Sequence, residues 1–316
     1  MTDPSDRTVD PPEWHHETAY VSGARLHYVT VPPNPDAVSH PTGDAPLVVL
    51  LHGFPEFWYT WRHQLSPLAD AGYRVVAPDL RGYNRSSAPS SVDSYRVAEL
   101  VTDVRELVEH RGAPQATVVG HDWGGVLGWE LAIREPDTVR QLAVLNAPHP
   151  DLYRRLLVRS PEQLVRSWYV FAAQLPWLPE RLLATDEYRL FAESLTRLPG
   201  TDVFSTDDVE RYRRAMARSQ SLSGPLNYYR AIGRETVTTQ LRALLLGHQL
   251  PRRSVDAPTL VLWGEQDPVL GLDLLDSLDD LVDSLQIERF PDVGHWPHLE
   301  RPRDVTRELL AFFGPS

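Results

Sequence analysis

The segment 116–125, Ala-Thr-Val-Val-Gly-His-Asp-Trp-Gly-Gly, constrains the fold of this chain more than any other stretch. Its β-branched residues are typical of a short strand, the glycines mark a sharp turn, and the last residues begin a helix. Glycines at 120 and 124 let strand and helix pack closely around the central residue, Asp122. A carboxylate there stands above the sheet, at the positive end of a helix that helps to keep it ionised. Taken alone, the motif favours an aspartate that merely caps the helix.

Strand-like and helix-like segments alternate up to about residue 148 and again after about residue 258. The continuous apolar run Leu47–Leu51 is typical of a strand that is buried on both faces. This alternation predicts an α/β fold, with a mostly parallel sheet flanked by helices. The predicted strands are residues 17–21, 25–31, 47–51, 73–78, the start of 116–125, 142–146, 259–263 and 286–290.

Residues 149–250 interrupt this alternation, because they contain helix-like segments and proline-marked turns but no convincing strand. We therefore predict an all-helical lid at 149–250, inserted into a core domain formed by residues 14–148 and 251–316. The carboxyl ends of parallel strands are where such sheets carry their sites, so the lid is expected to cover the site. Residues 1–13 are polar and rich in proline and aspartate, which predicts a flexible N-terminus. The acidic residues between 273 and 283 are interpreted as one solvated helix face.

The composition excludes several classes of function. The net charge is −12, and no basic cluster stands out, which argues against nucleic acid or an anionic membrane as a partner. The absence of cysteine excludes disulfides, thiolate catalysis and cysteine-based metal sites. No acidic and histidine cluster has metal-ligand spacing, so neither a metal nor a cofactor is expected. With no membrane-length apolar run and no secretion signal, the expected location is cytoplasmic.

Two further polar residues follow predicted strands. Asp267 comes after strand 259–263, and His295 comes after strand 286–290. In that position His295 would be a general base, and Asp267 would orient its ring and stabilise its cation. Each residue alone is more simply interpreted as part of an ordinary loop. Three such residues at strand ends, in the order Asp122, Asp267, His295, are unlikely to coincide by chance, and this is the order of an α/β-hydrolase triad.

From residue 52 to residue 295 the chain resembles the epoxide hydrolase branch of the α/β-hydrolase superfamily. Residues 52–55, His-Gly-Phe-Pro, are similar to the H-G-x-P motif of that family, and residues 146–150, Asn-Ala-Pro-His-Pro, resemble its entry into the lid. The resemblance implies an α/β-hydrolase fold and an oxyanion hole formed by the backbone N–H groups of Phe54 and Trp123. It also implies that Asp122 attacks a saturated carbon and forms an ester, which water activated by His295 then hydrolyses.

The resemblance extends to two lid tyrosines that would donate to the opening epoxide oxygen. Residues 167–176 resemble the segment with the first, at Tyr169, and residues 227–230 resemble the segment with the second, at Tyr229. A phenol stays protonated at neutral pH and can therefore act as this donor. Trp58, Trp168 and Trp296 are predicted to line an aromatic pocket for a small apolar or aromatic epoxide, with water as co-substrate. Several of the tryptophans near the site segments are equally consistent with core positions.

Two alternatives stay open at this point. Haloalkane dehalogenases share the aspartate, the acid and the histidine, and Trp168 could donate to a halide. A non-catalytic ligand-binding member of the fold is the other, since fold does not fix function. A serine esterase is disfavoured, because no G-x-S-x-G sequence occurs. The residues do not fix the oligomeric state, although the resemblance admits a homodimer, since family members often pair through their lids.

Overall fold

The computed structural model describes residues 10–37, 44–185, 188, 203–218, 222–246 and 252–314. Of the predicted flexible N-terminus, residues 1–9 lie outside this described part. Asp10, the first described residue, forms a hydrogen bond with His16 and an ion pair with Arg211, both at 3.1 Å. The described start of the chain is thus tied both to the first strand and to a helix far along the sequence.

The fold is built on one eight-stranded sheet in the order β1-β2-β4-β3-β5-β6-β7-β8. Strands β1 and β2 form an antiparallel hairpin, and β2 is antiparallel to β4, whereas the six strands from β4 to β8 are mutually parallel. The predicted α/β fold with a mostly parallel sheet is therefore confirmed. The strands are β1 His15–Val21, β2 Ala24–Val31, β3 Leu47–Leu51, β4 Arg74–Pro78, β5 Ala116–His121, β6 Val139–Leu145, β7 Thr259–Gly264 and β8 Leu285–Phe290.

Helices cover both faces of this sheet. Every residue of β3 and of β5 is buried, which explains why these strands are continuously apolar rather than alternating. The described helices are α1 Leu65–Asp70, α2 Val97–His110, α3 Trp123–Arg134, α4 Pro150–Arg159, α5 Pro161–Arg166, α6 Trp168–Ala172, α7 Leu178–Ala184, α8 Thr206–Arg218, α9 Ser223–Leu246, α10 Pro297–Glu300 and α11 Pro302–Phe313. The apolar stripes of α2 and α3 pack in one core layer, and those of α1 and α11 pack in the other.

The register of the central strands brings their carboxyl ends together. Leu51 at the end of β3 pairs with Gly120 in β5, and His121 at the end of β5 pairs with Leu145 in β6. The loops that leave these strands therefore start side by side at one edge of the sheet. This edge is where the predicted site residues lie.

All the described residues between β6 and β7 that have regular structure are helical, from α4 to α9. The boundaries of the predicted lid, 149 and 250, stay a prediction, and residues 186–187, 189–202, 219–221 and 247–250 lie outside the described part. The acidic run after residue 272 is not a helix face, because only a single 3-10 turn, Leu272–Leu275, forms there. No helix in the described ranges is both long enough and apolar enough to span a bilayer.

Candidate active site

Asp122 occupies a strained turn between β5 and α3. Its backbone has φ +49° and ψ −119°, a conformation that side-chain-bearing residues rarely adopt. The glycines on either side permit the turn, since a Cβ at Gly120 would meet the backbone of Gly124, and one at Gly124 would meet the carbonyl of Leu51. The side chain of Asp122 does not cap α3, which excludes the simpler interpretation of the motif.

The Asp122 carboxylate lies against two backbone donors. The N–H of Phe54 donates to Asp122 Oδ1 at 2.8 Å, and the N–H of Trp123 also acts on this carboxylate by lowering its pKa. These are the two groups that the family resemblance implied as an oxyanion hole. Burial raises the pKa of Asp122 above its usual value, although the rings of His295 and His121 and the two N–H donors act in the opposite direction.

The predicted acid and histidine meet at the same edge of the sheet. His295 Nδ1 donates to Asp267 Oδ2 at 2.7 Å, and both residues are buried. The other oxygen of Asp267 accepts the N–H groups of Val269 and Leu270 at 2.7 and 3.0 Å. Burial alone would raise the pKa of Asp267, but His295 and the hydrogen bonds outweigh it, so the pKa is lowered and the carboxylate stays ionised.

The free nitrogen of the His295 ring faces the turn at Asp122, residues 120–124, which we call the elbow. His295 Nε2 lies 3.9 Å from Asp122 Oδ2, a separation that leaves the ring in ionic contact with the carboxylate. Burial alone would lower the pKa of His295, but the carboxylates of Asp267 and Asp122 raise it to about 9. The resting ring is therefore a cation at neutral pH. It becomes a base only when the negative charge of Asp122 is removed.

Asn146 fixes the acid and was not assigned a role from the sequence. Its Nδ2 donates to Asp267 Oδ2 at 2.7 Å and to the carbonyl of Gly264 at 3.2 Å, and its Oδ1 accepts the N–H of Gly264 at 2.8 Å. The side chain thereby links the ends of β6 and β7. An asparagine directly after a buried strand was the available signal, and its position in the segment 146–150 was noted only as a lid entry.

A buried carboxylate supports the elbow from below, and sequence reasoning missed it too. Glu56 accepts the N–H of Gly53 at 2.7 Å and bonds His121 Nδ1 at 2.9 Å. The other ring nitrogen of His121 donates to the carbonyl of His295 at 2.8 Å. Burial raises the pKa of Glu56, but His121 and the other donors lower it far more, so Glu56 is ionised. This network links the Phe54 loop, the elbow and the His295 loop.

Within the described residues, one cluster has the donor set and spacing of a metal site. Its members are Glu56, His121 and His298, whose potential ligand atoms lie within 4.8 Å of one another. These atoms already have partners inside the protein. Glu56 bonds His121, and His298 Nε2 lies 2.7 Å from Thr60 Oγ1. The cluster is thus accounted for as the hydrogen-bonded support beneath the elbow.

A cavity of about 760 Å³ opens above Asp122, between the sheet edge and the helical insertion. Asp122, Trp123, Tyr169 and Tyr229 all line it. The rings of Tyr169 and Tyr229 meet edge to face with centroids 5.7 Å apart. Burial raises the pKa of each tyrosine well above 10, so both hydroxyls keep their protons at neutral pH. Asp122 and the two predicted phenol donors therefore share this cavity.

Hydrogen bonds tie the two tyrosine-bearing segments together. Gln174 Nε2 donates to the carbonyl of Tyr229 at 2.8 Å, and Arg230 donates to the carbonyls of Ala173 and Leu175 at 2.9 and 2.8 Å. The neighbouring Tyr228 has a different environment, because its hydroxyl is buried and donates to the carbonyl of Arg81 at 2.7 Å. Of this tyrosine pair, only Tyr229 lines the cavity.

The prediction that three tryptophans line the pocket is wrong. Trp58 is buried in the core layer that contains α1 and α11, and its ring meets that of Phe57 edge to face. Trp296 follows His295 directly, but its ring packs on Phe204 in the same core layer. Trp168 is 68% exposed, and none of the three lines the cavity. Nearness in sequence to a site residue misled here, because consecutive residues in a turn face different directions.

Known proteins share this fold and organisation. The family model of the alpha/beta hydrolase fold matches residues 46–302. Epoxide hydrolase 3 of Xenopus tropicalis is 36% identical over 310 residues, which cover 94% of this chain and 78% of that protein. Epoxide hydrolase 4 of Homo sapiens is 34% identical over 298 residues, which cover 92% of this chain and 76% of that protein.

The solved structures agree with these relatives. The crystal structure of an epoxide hydrolase from Bacillus megaterium in complex with an inhibitor matches with a TM-score of 0.81 at 29% sequence identity. The match covers 94% of this chain and 99% of that chain. The chain belongs to the epoxide hydrolase branch of the α/β-hydrolase superfamily.

Proposed function

We propose that this enzyme converts an epoxide and water to a vicinal diol through an ester on Asp122, with His295, Asp267, Tyr169 and Tyr229 as the other catalytic residues. One observation carries the proposal. A carboxylate at a strained elbow shares a cavity with two protonated phenols, which suits attack on a carbon whose leaving oxygen needs a proton.

In the first step, an oxygen of Asp122 attacks one epoxide carbon in line. The carbon–oxygen bond of the ring breaks, and the leaving oxygen takes a proton from Tyr169 or Tyr229 while the other phenol donates a hydrogen bond. The product is a hydroxyalkyl ester on Asp122 and one phenolate. The resting His295 cation supplies the proton that restores the phenol, which leaves the ring neutral.

In the second step, neutral His295 takes a proton from water, whose oxygen attacks the Asp122 carboxyl carbon. Formation of the ester has removed the charge that helped to raise the pKa of His295, so the ring can now act as a base. The N–H groups of Phe54 and Trp123 stabilise the tetrahedral oxyanion, and loss of one such donor typically costs roughly 3–4 kcal/mol. The intermediate collapses with cleavage of the ester carbon–oxygen bond, and the departing alkoxide takes the proton of the new carboxylic acid. Release of the diol leaves Asp122 as a carboxylate and His295 as a cation, their resting forms.

The substrate we propose is a small apolar or aromatic epoxide. The cavity wall is mainly apolar and includes Val126, Val170, Ile232 and Leu270. A Bacillus megaterium relative has been solved with its product (R)-3-[1]naphthyloxy-propane-1,2-diol, an aryl ether diol. A cavity of about 760 Å³ is within the range usual for ligands of this size.

Neither alternative function is favoured. The dehalogenase interpretation depended on Trp168 as a halide donor, and this residue is exposed and lies outside the cavity lining. A non-catalytic binding protein would not need the full set of nucleophile, base, acid and two phenols, all of which are present here. The pairing of two copies through the lid stays a prediction, which light scattering on the purified protein would test.

A His295→Gln variant tests the proposal and the reaction class together. With the base removed, the ester should form and persist, so the intact protein mass should rise after incubation with an aryl epoxide. The increase should equal the whole epoxide mass, because ring opening loses no atom. A matched haloalkane would instead add its mass less that of hydrogen halide. An unchanged mass with an epoxide that the wild type hydrolyses would refute the covalent mechanism.

A further inference from the structure

The exposed apolar side chains of this protein are concentrated on one part of the helical insertion. Eleven large apolar residues are exposed in the described part of the chain, and eight of them lie between residues 164 and 182. We call these eight the insertion face. Its members are Leu164, Val165, Trp168, Phe171, Leu175, Trp177, Leu178 and Leu182. Exposed apolar residues scattered singly need no explanation, but such a concentration marks an interaction surface.

The cavity wall includes part of this face. Leu164 and Phe171 are 42% and 54% exposed, and both also line the cavity that holds Asp122. An apolar molecule that leaves a partner bound to the insertion face could therefore enter the cavity without crossing bulk water. This feature makes the surface relevant to substrate entry.

The helices that carry the insertion face are positively charged, unlike the chain as a whole. Residues 150–184, which form α4 to α7, contain five arginines against three acidic residues, whereas the whole chain carries −12. Arg159 and Arg181 are exposed next to the face in sequence, as is Glu162, which pairs with Arg166, and the Arg181 guanidinium stacks on the Trp177 ring at 4.9 Å. The net charge of the chain, from which we expected no membrane partner, therefore does not describe this surface.

We propose that the insertion face docks on an anionic lipid surface, from which an apolar epoxide passes into the cavity. Tryptophan, phenylalanine and leucine beside arginine are the side chains that favour the interface of an anionic membrane. A second copy of the chain fits less well, because pairing through this face brings two positively charged segments together. Delivery of an epoxide rests on the proposed function, whereas docking itself does not.

Vesicle co-sedimentation of the full chain tests the docking without any substrate. The wild type should bind vesicles of phosphatidylcholine with about one third phosphatidylserine, and should bind pure phosphatidylcholine vesicles much more weakly. The Val165→Ser/Trp177→Ser double variant should bind the anionic vesicles at least about tenfold more weakly, because two anchoring side chains are lost. Val165 and Trp177 are 71% and 61% exposed and belong to neither core layer, so these changes leave the core intact.

The matched control is Tyr20→Ser/Ile287→Ser, which removes two exposed apolar side chains from the strands at the two edges of the sheet. This variant should bind vesicles like the wild type, and all three proteins should hydrolyse a water-soluble epoxide at the same rate. The last measurement separates failure of the docking from failure of the proposed function. Equal binding of Val165→Ser/Trp177→Ser and control, or equal binding to neutral and anionic vesicles, would overturn the proposal. The proposal would also be overturned if the wild type is a dimer that does not bind vesicles and if Val165→Ser/Trp177→Ser is a monomer.

Discussion

Two adjacent tyrosines on α9 allow a direct test of the proposed acid. Tyr228→Phe and Tyr229→Phe delete the same atom from neighbouring, buried side chains, but the two hydroxyls have different surroundings. The Tyr228 hydroxyl donates to the carbonyl of Arg81 at 2.7 Å, whereas Tyr229 lines the cavity above Asp122. The first change should therefore affect stability, and the second should affect catalysis.

The expected sizes follow from these contacts. Tyr228→Phe leaves the Arg81 carbonyl without its donor in the protein interior, which should lower the free energy of unfolding by about 1–3 kcal/mol. Tyr229→Phe removes one of two acids from a cavity, so its unfolding free energy should barely change. General acid assistance is typically worth roughly 100- to 10,000-fold in rate. Because Tyr169 remains, the single variant should lose part of that factor, and Tyr169→Phe/Tyr229→Phe should lose nearly all of it.

Urea denaturation measures the first quantity, and single-turnover kinetics with an aryl epoxide measures the second. The alkylation rate should fall in the order wild type, Tyr229→Phe, Tyr169→Phe/Tyr229→Phe, while Tyr228→Phe stays close to the wild type. Hydrolysis of the ester should be little affected in every case, since neither tyrosine is its base or its oxyanion donor. If the double variant alkylates at the wild-type rate, or if Tyr228→Phe slows alkylation as much as Tyr229→Phe, the reasoning is refuted.

Two further predictions concern the charges around His295. Asp267→Asn removes the carboxylate that orients the His295 ring, so turnover should fall by roughly 10,000-fold. The control Asp276→Asn, which changes an exposed acid in the same loop, should behave like the wild type. Steady-state diol formation measures both rates, and similar rates for the two variants would contradict the assignment of Asp267. The folded-state pKa of His295 is raised from 6.5 to about 9, so protonation of this ring contributes to the free energy of unfolding. The contribution is complete below pH 6.5 and is lost as the pH rises through about 9. Urea denaturation between pH 7 and about 9.5 should show this fall in the free energy of unfolding. The fall should be smaller in Asp122→Asn, where one of the two carboxylates that raise the pKa of His295 is gone. An identical pH dependence in both proteins would count against the coupling of His295 to Asp122.

The sheet was predictable because its signals are local. β3 and β5 are buried on both faces and therefore read as unbroken apolar runs, and the turn at Asp122 needs glycines that cannot be replaced without a clash. Once parallel strands are assigned, their carboxyl ends must meet at one edge, which is why Asp122, Asp267 and His295 could be grouped from the sequence alone.

The residues that the sequence did not reveal depend on contacts between distant segments. Glu56 bonds His121 across 65 positions of the chain, and Asn146 bonds Asp267 across 121. Nothing in the local pattern shows which buried polar side chain a distant loop will meet. The pocket tryptophans failed for the converse reason, since an aromatic residue beside a motif is as easily part of the core, as Trp58 and Trp296 are. The charge of the helical insertion was hidden in the same way by the net charge of the whole chain.

The attack of water on the Asp122 carboxyl carbon is the step that most directly tests the mechanism. A single turnover of epoxide in oxygen-18 water, with enzyme in excess, should leave one labelled oxygen in the peptide that contains Asp122, while the diol carries an oxygen from the enzyme. The peptide that contains Asp267 should stay unlabelled, as should both peptides without substrate. Label that appears only in the diol would contradict the ester intermediate, and with it the role of Asp122 as the nucleophile.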